Sequence, residues 1–238
     1  MEPVPSNGVM ALDLVRRLAR LDSTVLSDAL DECGLTPGTG ELRAQWPGAR
    51  LSGVARTVAL EPHRGDAPGP HIASAVIASA DRGDVVVIAN GGRMDVSGWG
   101  GLLSLGCVER GLGGAVVDGA CRDVAEARAY GLPVFARGTS PRTARGRLRQ
   151  RSVAEPVRIA GIVVNDRDLV VADDSGVVFI PRGDAERVIE LAEQVAVRER
   201  AIADDIREGA TLSEAMHDAR LAGRRGGSAG ESAGAEAR

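Results

Sequence analysis

The chain has 238 residues and 44% hydrophobic content, enough for one large domain or two small ones; one domain with helical extensions is the simpler organisation. A formal net charge of −4 and 2% aromatic residues exclude both the basic footprint and the stacking platforms that direct nucleic-acid binding requires. No charged-then-apolar leader opens the chain and no run approaches the ~20 apolar residues of a membrane span, so a soluble, cytoplasmic protein with no membrane partner is expected.

Residues 1–8 contain Pro and Gly and are expected to be loose. Met10–Leu21 places apolar residues at 12, 15, 18, 19 and 21 with arginines between them, the pattern of an amphipathic helix. Ser23 and Thr24 suit the cap of a second helix, Val25–Cys33, with Gly34 at its C-terminal stop. Pro37–Gly40 reads as a loop and Arg50–Glu61 as a strand. Gly65–Pro70 is turn material, His71–Ala80 a short apolar helix, and Val85–Ala89 a continuous apolar run of the kind buried on both faces, ended by Asn90-Gly91-Gly92.

The central stretch begins at Trp99. Leu102, Leu103, Leu105 and Val108 follow one helical face, which glycines 111, 113 and 114 end. Ala115–Val117 is a buried strand, Asp118-Gly119 its turn, and a further helix starts near Asp123 and runs to Tyr130. A strand over Val134–Ala136 completes an alternation of strand and helix that predicts α/β layering with parallel pairing. Arg137–Arg151 holds six arginines among Gly, Thr and Pro and reads as an exposed loop. Ile159–Val164, Leu169–Ala172 and Val177–Ile180 are short β runs, with Asp173-Asp174-Ser175-Gly176 a tight turn whose aspartates bond their own backbone. Asp184–Glu208 is a long charged helix, a weaker helix reaches about Leu221, and Gly226–Arg238 has the composition of a disordered tail.

Two helix N-termini and one strand end thus meet in a small space. Unpaired N–H groups at Gly101–Leu103 suit an anion, Arg122 a carboxylate, and Asp123 with Glu126 a divalent cation. Plainer readings stand beside these. Arg122-Asp123 is also a helix-opening ion pair with Asp123 as N-cap, Glu126 has the capping-box spacing from it, and Gly101 suits close helix packing. His63, His71 and His217 lack ligand spacing and read as surface or loop residues. Cys33, Cys107 and Cys121 are odd in number, without metal spacing, and read as small buried hydrophobes in a reducing compartment. The sequence contains no lysine, which excludes Schiff-base chemistry.

The run from Gly114 through Asp118-Gly119-Ala120-Cys121-Arg122-Asp123 to Glu126, followed by Gly131-Leu132-Pro133-Val134-Phe135-Ala136-Arg137-Gly138, resembles the family that contains 4-hydroxy-4-methyl-2-oxoglutarate aldolases and the RraA-like regulators of ribonuclease activity. Ser23-Thr24-Val25-Leu26-Ser27-Asp28-Ala29-Leu30 and Val170–Val178 carry it outward, so that it covers roughly residues 20–205. Where the family's aldolases place an acid, this chain has Gly101, and it is similar to the family's variant pattern of Gly101, Arg122, Asp123 and Glu126, in which the second acid substitutes for the missing one.

The resemblance implies a swivelling α/β/α fold with N-terminal helices and a long C-terminal helix, assembled as a homotrimer or hexamer. The corresponding segments are an N-terminal part over 1–22, the α/β domain over 23–182, a helical extension over 183–222 and the tail over 223–238. It implies Mg²⁺ or Mn²⁺ on Asp123, and a 2-oxo acid bound by Arg122, Gly100, Gly101 and the N–H groups of Leu102 and Leu103. Glu126 would position a metal-bound or catalytic water for proton transfer, and Glu199 would be contributed by the C-terminal helix of a neighbouring subunit. The implied chemistry is metal-assisted formation of the pyruvate enolate, by retro-aldol cleavage of a 4-hydroxy-2-oxo acid or decarboxylation of oxaloacetate. Two alternatives accompany it: a non-catalytic regulator of a ribonuclease, for which the departure at Gly101 and the arginine-rich segment speak, and a diverged lyase of a specialised pathway.

Overall fold

A computed structural model describes residues 7–65 and 71–216. The expectations for residues 1–6 and 66–70, for His217, for the helix as far as Leu221 and for the tail lie outside those residues. Two compact units divide the chain, one reaching Ala192 and the other beginning at Glu193.

Helices α1 (Asn7–Leu18) and α2 (Ser23–Glu32) open the first unit, followed by β1 (Arg43–Ala44), β2 (Leu51–Pro62), α3 (Ser74–Ser79), β3 (Val85–Ser97), α4 (Gly101–Arg110), β4 (Gly114–Cys121), α5 (Val124–Ala129) and β5 (Val134–Thr139). Then come β6 (Leu148–Val153), β7 (Val157–Ile159), β8 (Ile162–Val164), β9 (Leu169–Asp173) and β10 (Gly176–Ile180), before helices α6 (Ala185–Arg207) and α7 (Leu212–Ala215).

The apolar runs pair in parallel, Ala55 beside Val85, Val85 beside Gly114 and Ala115 beside Val134. The eight-stranded sheet has the order β1-β5-β4-β3-β2-β9-β10, with β6 also on β2 and β7–β8 a separate ribbon. A β-bridge between Thr39, just before β1, and Val177 of β10 brings the sheet's two ends together, so it is nearly closed. Gly176 is required there, because its φ is +154° and a Cβ would stand 2.3 Å from the Thr39 carbonyl oxygen.

Both faces of the central strands are buried, which explains their unbroken apolar runs. Val86, Ile88, Ala115 and Val117 face α3, α4 and α5 through Val76, Ile77, Leu103, Cys107 and Ala127. Their neighbours Val85, Val87 and Val116 face the inside of the curved sheet with Phe135, Ile159, Val170 and Phe179. Fully burying each such side chain stabilises by about 1.5–3 kcal/mol, so the sheet with its two apolar layers is the rigid base from which the βα turns project.

Several expectations need correction. Strand β3 does not stop at Asn90-Gly91-Gly92. Those glycines take φ of +62° and +71° inside it, and the strand continues to Ser97 through two shifts of register against β4. Asp118-Gly119 is likewise inside β4, not a turn beyond it. Half of the arginine-rich segment is strand: Arg137 lies on β5, and Arg149 and Arg151 lie on β6. The helix expected from His71 forms only over Ser74–Ser79. Asp173 serves the fold, accepting from the Ser23 N–H at 2.7 Å, the Ser23 hydroxyl at 2.6 Å and the Ser175 N–H at 3.0 Å, which ties α2 to the β9–β10 turn. Cys107 and Cys121 are buried as expected, while Cys33 is only half-buried.

Candidate functional site

Because β3 and β4 run parallel, their C-terminal ends release the chain at one edge of the sheet, and the turns into α4 and α5 lie side by side there. Backbone bonds lock the turns together: the Gly98 N–H donates to the Ala120 carbonyl at 2.8 Å and the Arg122 N–H to the Trp99 carbonyl at 3.0 Å. Trp99, 2% exposed, donates its indole N–H to the Ser104 hydroxyl at 2.9 Å, and that hydroxyl bonds the Gly100 carbonyl at 3.2 Å. The first turn of α4 is thereby held still, with the Leu102 and Leu103 N–H groups left without backbone acceptors, as in any helix start.

Asp123 has φ +57° and ψ +38°, a left-handed conformation that costs a non-glycine residue roughly 1 kcal/mol. This conformation turns its carboxylate away from its own helix. The side chain does not cap α5; its Oδ2 instead accepts the Gly101 N–H at 3.0 Å and lies 3.2 Å from Arg122 Nε. Neither the N-cap nor the capping-box reading of Asp123 and Glu126 therefore describes the fold. Oδ1 of Asp123 accepts no hydrogen bond among the described residues, and the side chain is 34% exposed.

Glu126 and Gly101 fit each other. A Cβ at Gly101 would stand 1.9 Å from Glu126 Oε2 and 2.8 Å from its Cδ, so the carboxylate occupies the space that a side chain at 101 would need. Gly100 is similarly confined, its virtual Cβ 2.9 Å from Asp123 Oδ2 and 3.1 Å from Arg122 Nε. The residues singled out in sequence, Gly100, Gly101, Leu102, Leu103, Arg122, Asp123 and Glu126, come together in this corner. Glu199 is exposed on α6, within the unit that begins at Glu193.

Trp99, Gly100–Leu103 and Arg122 form one wall of a cavity of about 870 Å³. Its other wall was not legible in the sequence: His63, His71, Ile72, Leu148 and Arg149, with Thr143–Gly146 between β5 and β6. The connecting segment is laid over the site by Ser97, whose N–H and hydroxyl donate to the Arg142 carbonyl at 3.0 and 2.7 Å. His63 is tied to it through its N–H to the Arg147 carbonyl at 2.8 Å.

No group of three or more His, Cys, Asp or Glu suited to a metal occurs among the described residues. The donor set here is the open oxygen of Asp123 with Glu126 nearby. That suits Mg²⁺ or Mn²⁺, which binds through one or two carboxylates and retains waters, and does not suit an all-protein cage. The cysteines offer nothing: burial pushes the Cys107 and Cys121 thiols up to about 12, far from thiolate chemistry.

Comparison with known proteins shows what the chain as a whole is similar to. Protein DlpA of Legionella pneumophila is 30% identical over 220 residues, 91% of this chain, although the chain spans only 36% of that protein's length. A Halalkalibacterium halodurans protein named "Putative 4-hydroxy-4-methyl-2-oxoglutarate aldolase" is 32% identical over 82% of this chain and 91% of its own. Among solved structures, an uncharacterized Pseudomonas syringae protein is 31% identical with a TM-score of 0.79, covering 91% of this chain and all of that one. Streptomyces coelicolor RraAS2, described as an unusual member of the RNase ES inhibitor RraA protein family, is 29% identical with a TM-score of 0.71, covering 84% of this chain and 98% of its own. No described helix is long and apolar enough to cross a membrane. The family model RraA-like, described as Aldolase/RraA, matches residues 23–179, and the chain belongs to that family.

Proposed function

We propose that the chain is a divalent-metal-dependent lyase of pyruvyl-containing 2-oxo acids, cleaving a 4-hydroxy-2-oxo acid by retro-aldol reaction or decarboxylating oxaloacetate. The observation that carries this reading is the interlock of Gly101 with Glu126, which supplies a carboxylate from α5 in the space vacated at 101. The Glu126 carboxylate is exposed and has no hydrogen-bond partner among the described residues, so it is open to a ligand.

In this reading Arg122 binds the substrate carboxylate, with the Leu102 and Leu103 N–H groups and the α4 dipole taking the charge that develops beside it. A metal ion held by Asp123 would supply Lewis-acid stabilisation of negative charge on the keto oxygen. Glu126 accepts a proton from the 4-hydroxyl in the retro-aldol direction and returns one to C3 of the pyruvyl unit, directly or through water. Trp99 and Leu103 keep bulk water from that face. Glu199, reaching in from a neighbouring subunit of a trimer or hexamer, would complete the proton path.

A second reading, a protein that binds a ribonuclease, takes its support from the likeness to the Streptomyces coelicolor protein. The test is pyruvate release from oxaloacetate and from 4-hydroxy-4-methyl-2-oxoglutarate, with Mn²⁺ or with chelator, in wild type and Asp123→Asn. Asparagine tolerates the left-handed backbone and can still accept the Gly101 N–H, so the variant folds. Metal-dependent release lost in Asp123→Asn is the expected result; release indifferent to metal and to the substitution rejects the lyase.

A further inference from the structure

Ser104 places a hydroxyl where the helix does not need one. It lies on the buried face of α4 with Leu103 and Cys107 and is 0% exposed, a position at which alanine favours the helix more and buries no polar group. Its hydroxyl has two contacts, the Trp99 indole nitrogen at 2.9 Å and the Gly100 carbonyl at 3.2 Å. Chemistry forces the direction of both bonds. An indole N–H only donates and a carbonyl only accepts, so the hydroxyl accepts from Trp99 and donates to Gly100. The Gly100 carbonyl also accepts the Ser104 N–H at 3.1 Å and therefore carries two donors.

That carbonyl belongs to the same peptide unit as the Gly101 N–H, which donates to Asp123 Oδ2 at 3.0 Å. Two donors on the oxygen draw electron density from the nitrogen through the conjugated amide, which makes its N–H a stronger donor. They also fix the plane of the peptide, and with it the line along which the carboxylate is held. The relay thus runs from the Trp99 indole through Ser104 and the Gly100–Gly101 peptide to Asp123. It is tied back at its far end, because the Arg122 N–H donates to the Trp99 carbonyl at 3.0 Å. An aspartate at the start of a helix ordinarily turns to cap that helix. Here the side chain makes no cap bond to α5, and the Gly101 N–H is the group that holds it away while leaving Oδ1 open.

We propose that Ser104 is a positioning residue for Asp123: its hydroxyl, backed by the Trp99 indole, aims and strengthens the Gly101 N–H that keeps the carboxylate presented to a divalent cation. The cation rests on the lyase reading; the relay to Asp123 does not.

The test compares the full-length wild type with Ser104→Ala and Trp99→Phe by calorimetric Mn²⁺ binding, by urea melts, and by the Gly101 amide resonance of metal-free protein labelled with ¹⁵N-glycine. Ser104→Ala should bind Mn²⁺ about ten-fold more weakly, the scale on which losing a group that orients a metal ligand is felt. In the metal-free protein its Gly101 amide proton should move upfield, as an N–H that has lost polarisation does. Trp99→Phe empties core volume and loses stability, yet it should weaken Mn²⁺ less than Ser104→Ala, because the hydroxyl still reaches Gly100. Affinity then follows the hydroxyl and not the stability seen in the melts. Wild-type Mn²⁺ affinity in Ser104→Ala overturns the proposal, as does a Gly101 amide proton that stays or moves downfield, or a loss in Trp99→Phe as large as in Ser104→Ala. If the wild type binds no Mn²⁺, or Asp123→Asn binds it as well, the metal site of the lyase reading fails by itself, and the Gly101 resonance still decides whether Ser104 acts on Asp123.

Discussion

Replacing Gly101 by alanine separates the catalytic from the packing explanation of the Gly101–Glu126 interlock. The added Cβ would stand 1.9 Å from Glu126 Oε2, and the next atom outside that residue is Asp123 Cβ at 3.3 Å. Glu126 is exposed and its side chain makes no hydrogen bond among the described residues, so it swings aside without breaking one. Gly101 is not in the positive-φ region, and alanine is the better helix former by about 1 kcal/mol, so stability should stay within about 1 kcal/mol of wild type. Turnover behaves differently, because a displaced general acid–base costs ~10²–10⁴-fold, about 3–5 kcal/mol of transition-state stabilisation. The assay pairs urea melts with metal-dependent pyruvate release for Gly101→Ala, Glu126→Ala and the double variant. The double variant should be no slower than the slower single one, since both act on one carboxylate. Moving the acid, as Gly101→Asp with Glu126→Ala, should recover part of the activity. Gly101→Ala with wild-type turnover refutes the reasoning, and a loss of several kcal/mol of stability assigns the glycine to helix packing instead.

Other outcomes follow from the same geometry. In the native protein at pH 8, Ellman's reagent should titrate Cys33 alone, and all three thiols only after denaturation; rapid reaction of Cys107 or Cys121 would contradict thiols pushed up to about 12 by burial. At Asp173, burial works against ionisation, but the bonds from Ser23 and Ser175 outweigh it and hold the carboxyl below its ordinary value of 3.8. A depressed folded-state pKa adds stability that is present above 3.8 and lost as pH falls through the lower folded value. Asp173→Ala should therefore cost about 2–3 kcal/mol in urea melts at pH 7, with the gap to wild type narrowing below pH 4; a gap independent of pH would show that charge is not involved. Arg122→Gln should raise KM for oxaloacetate by about 100-fold or more, the loss of a charged carboxylate clamp, and an unchanged KM would remove Arg122 from substrate binding.

Much of this molecule is decided within short windows of sequence. The unbroken apolar runs at Val85–Ala89 and Ala115–Val117 could only be strands buried on both faces, and the glycines after Val108 could only end a helix. The grouping of Gly101, Arg122, Asp123 and Glu126 was readable too, because parallel strands release their following helices at one edge.

The sequence could not reveal which partner each polar group would choose. Asp123 and Glu126 have capping-box spacing, yet the left-handed backbone at Asp123 turns its carboxylate to the neighbouring helix, and a packed turn, not the local spacing, decides that. Strand β6 carries arginines where a strand signal would show apolar alternation, since its stabilisation comes from pairing with β2, some ninety residues earlier in the chain. The cavity's second wall has the same origin. His63, His71, Arg145 and Arg149 read singly as surface residues, and only the β2–β6 pairing and the Ser97 bonds to Arg142 bring them opposite Arg122, because pairing energy between distant segments leaves no trace in the local pattern of either.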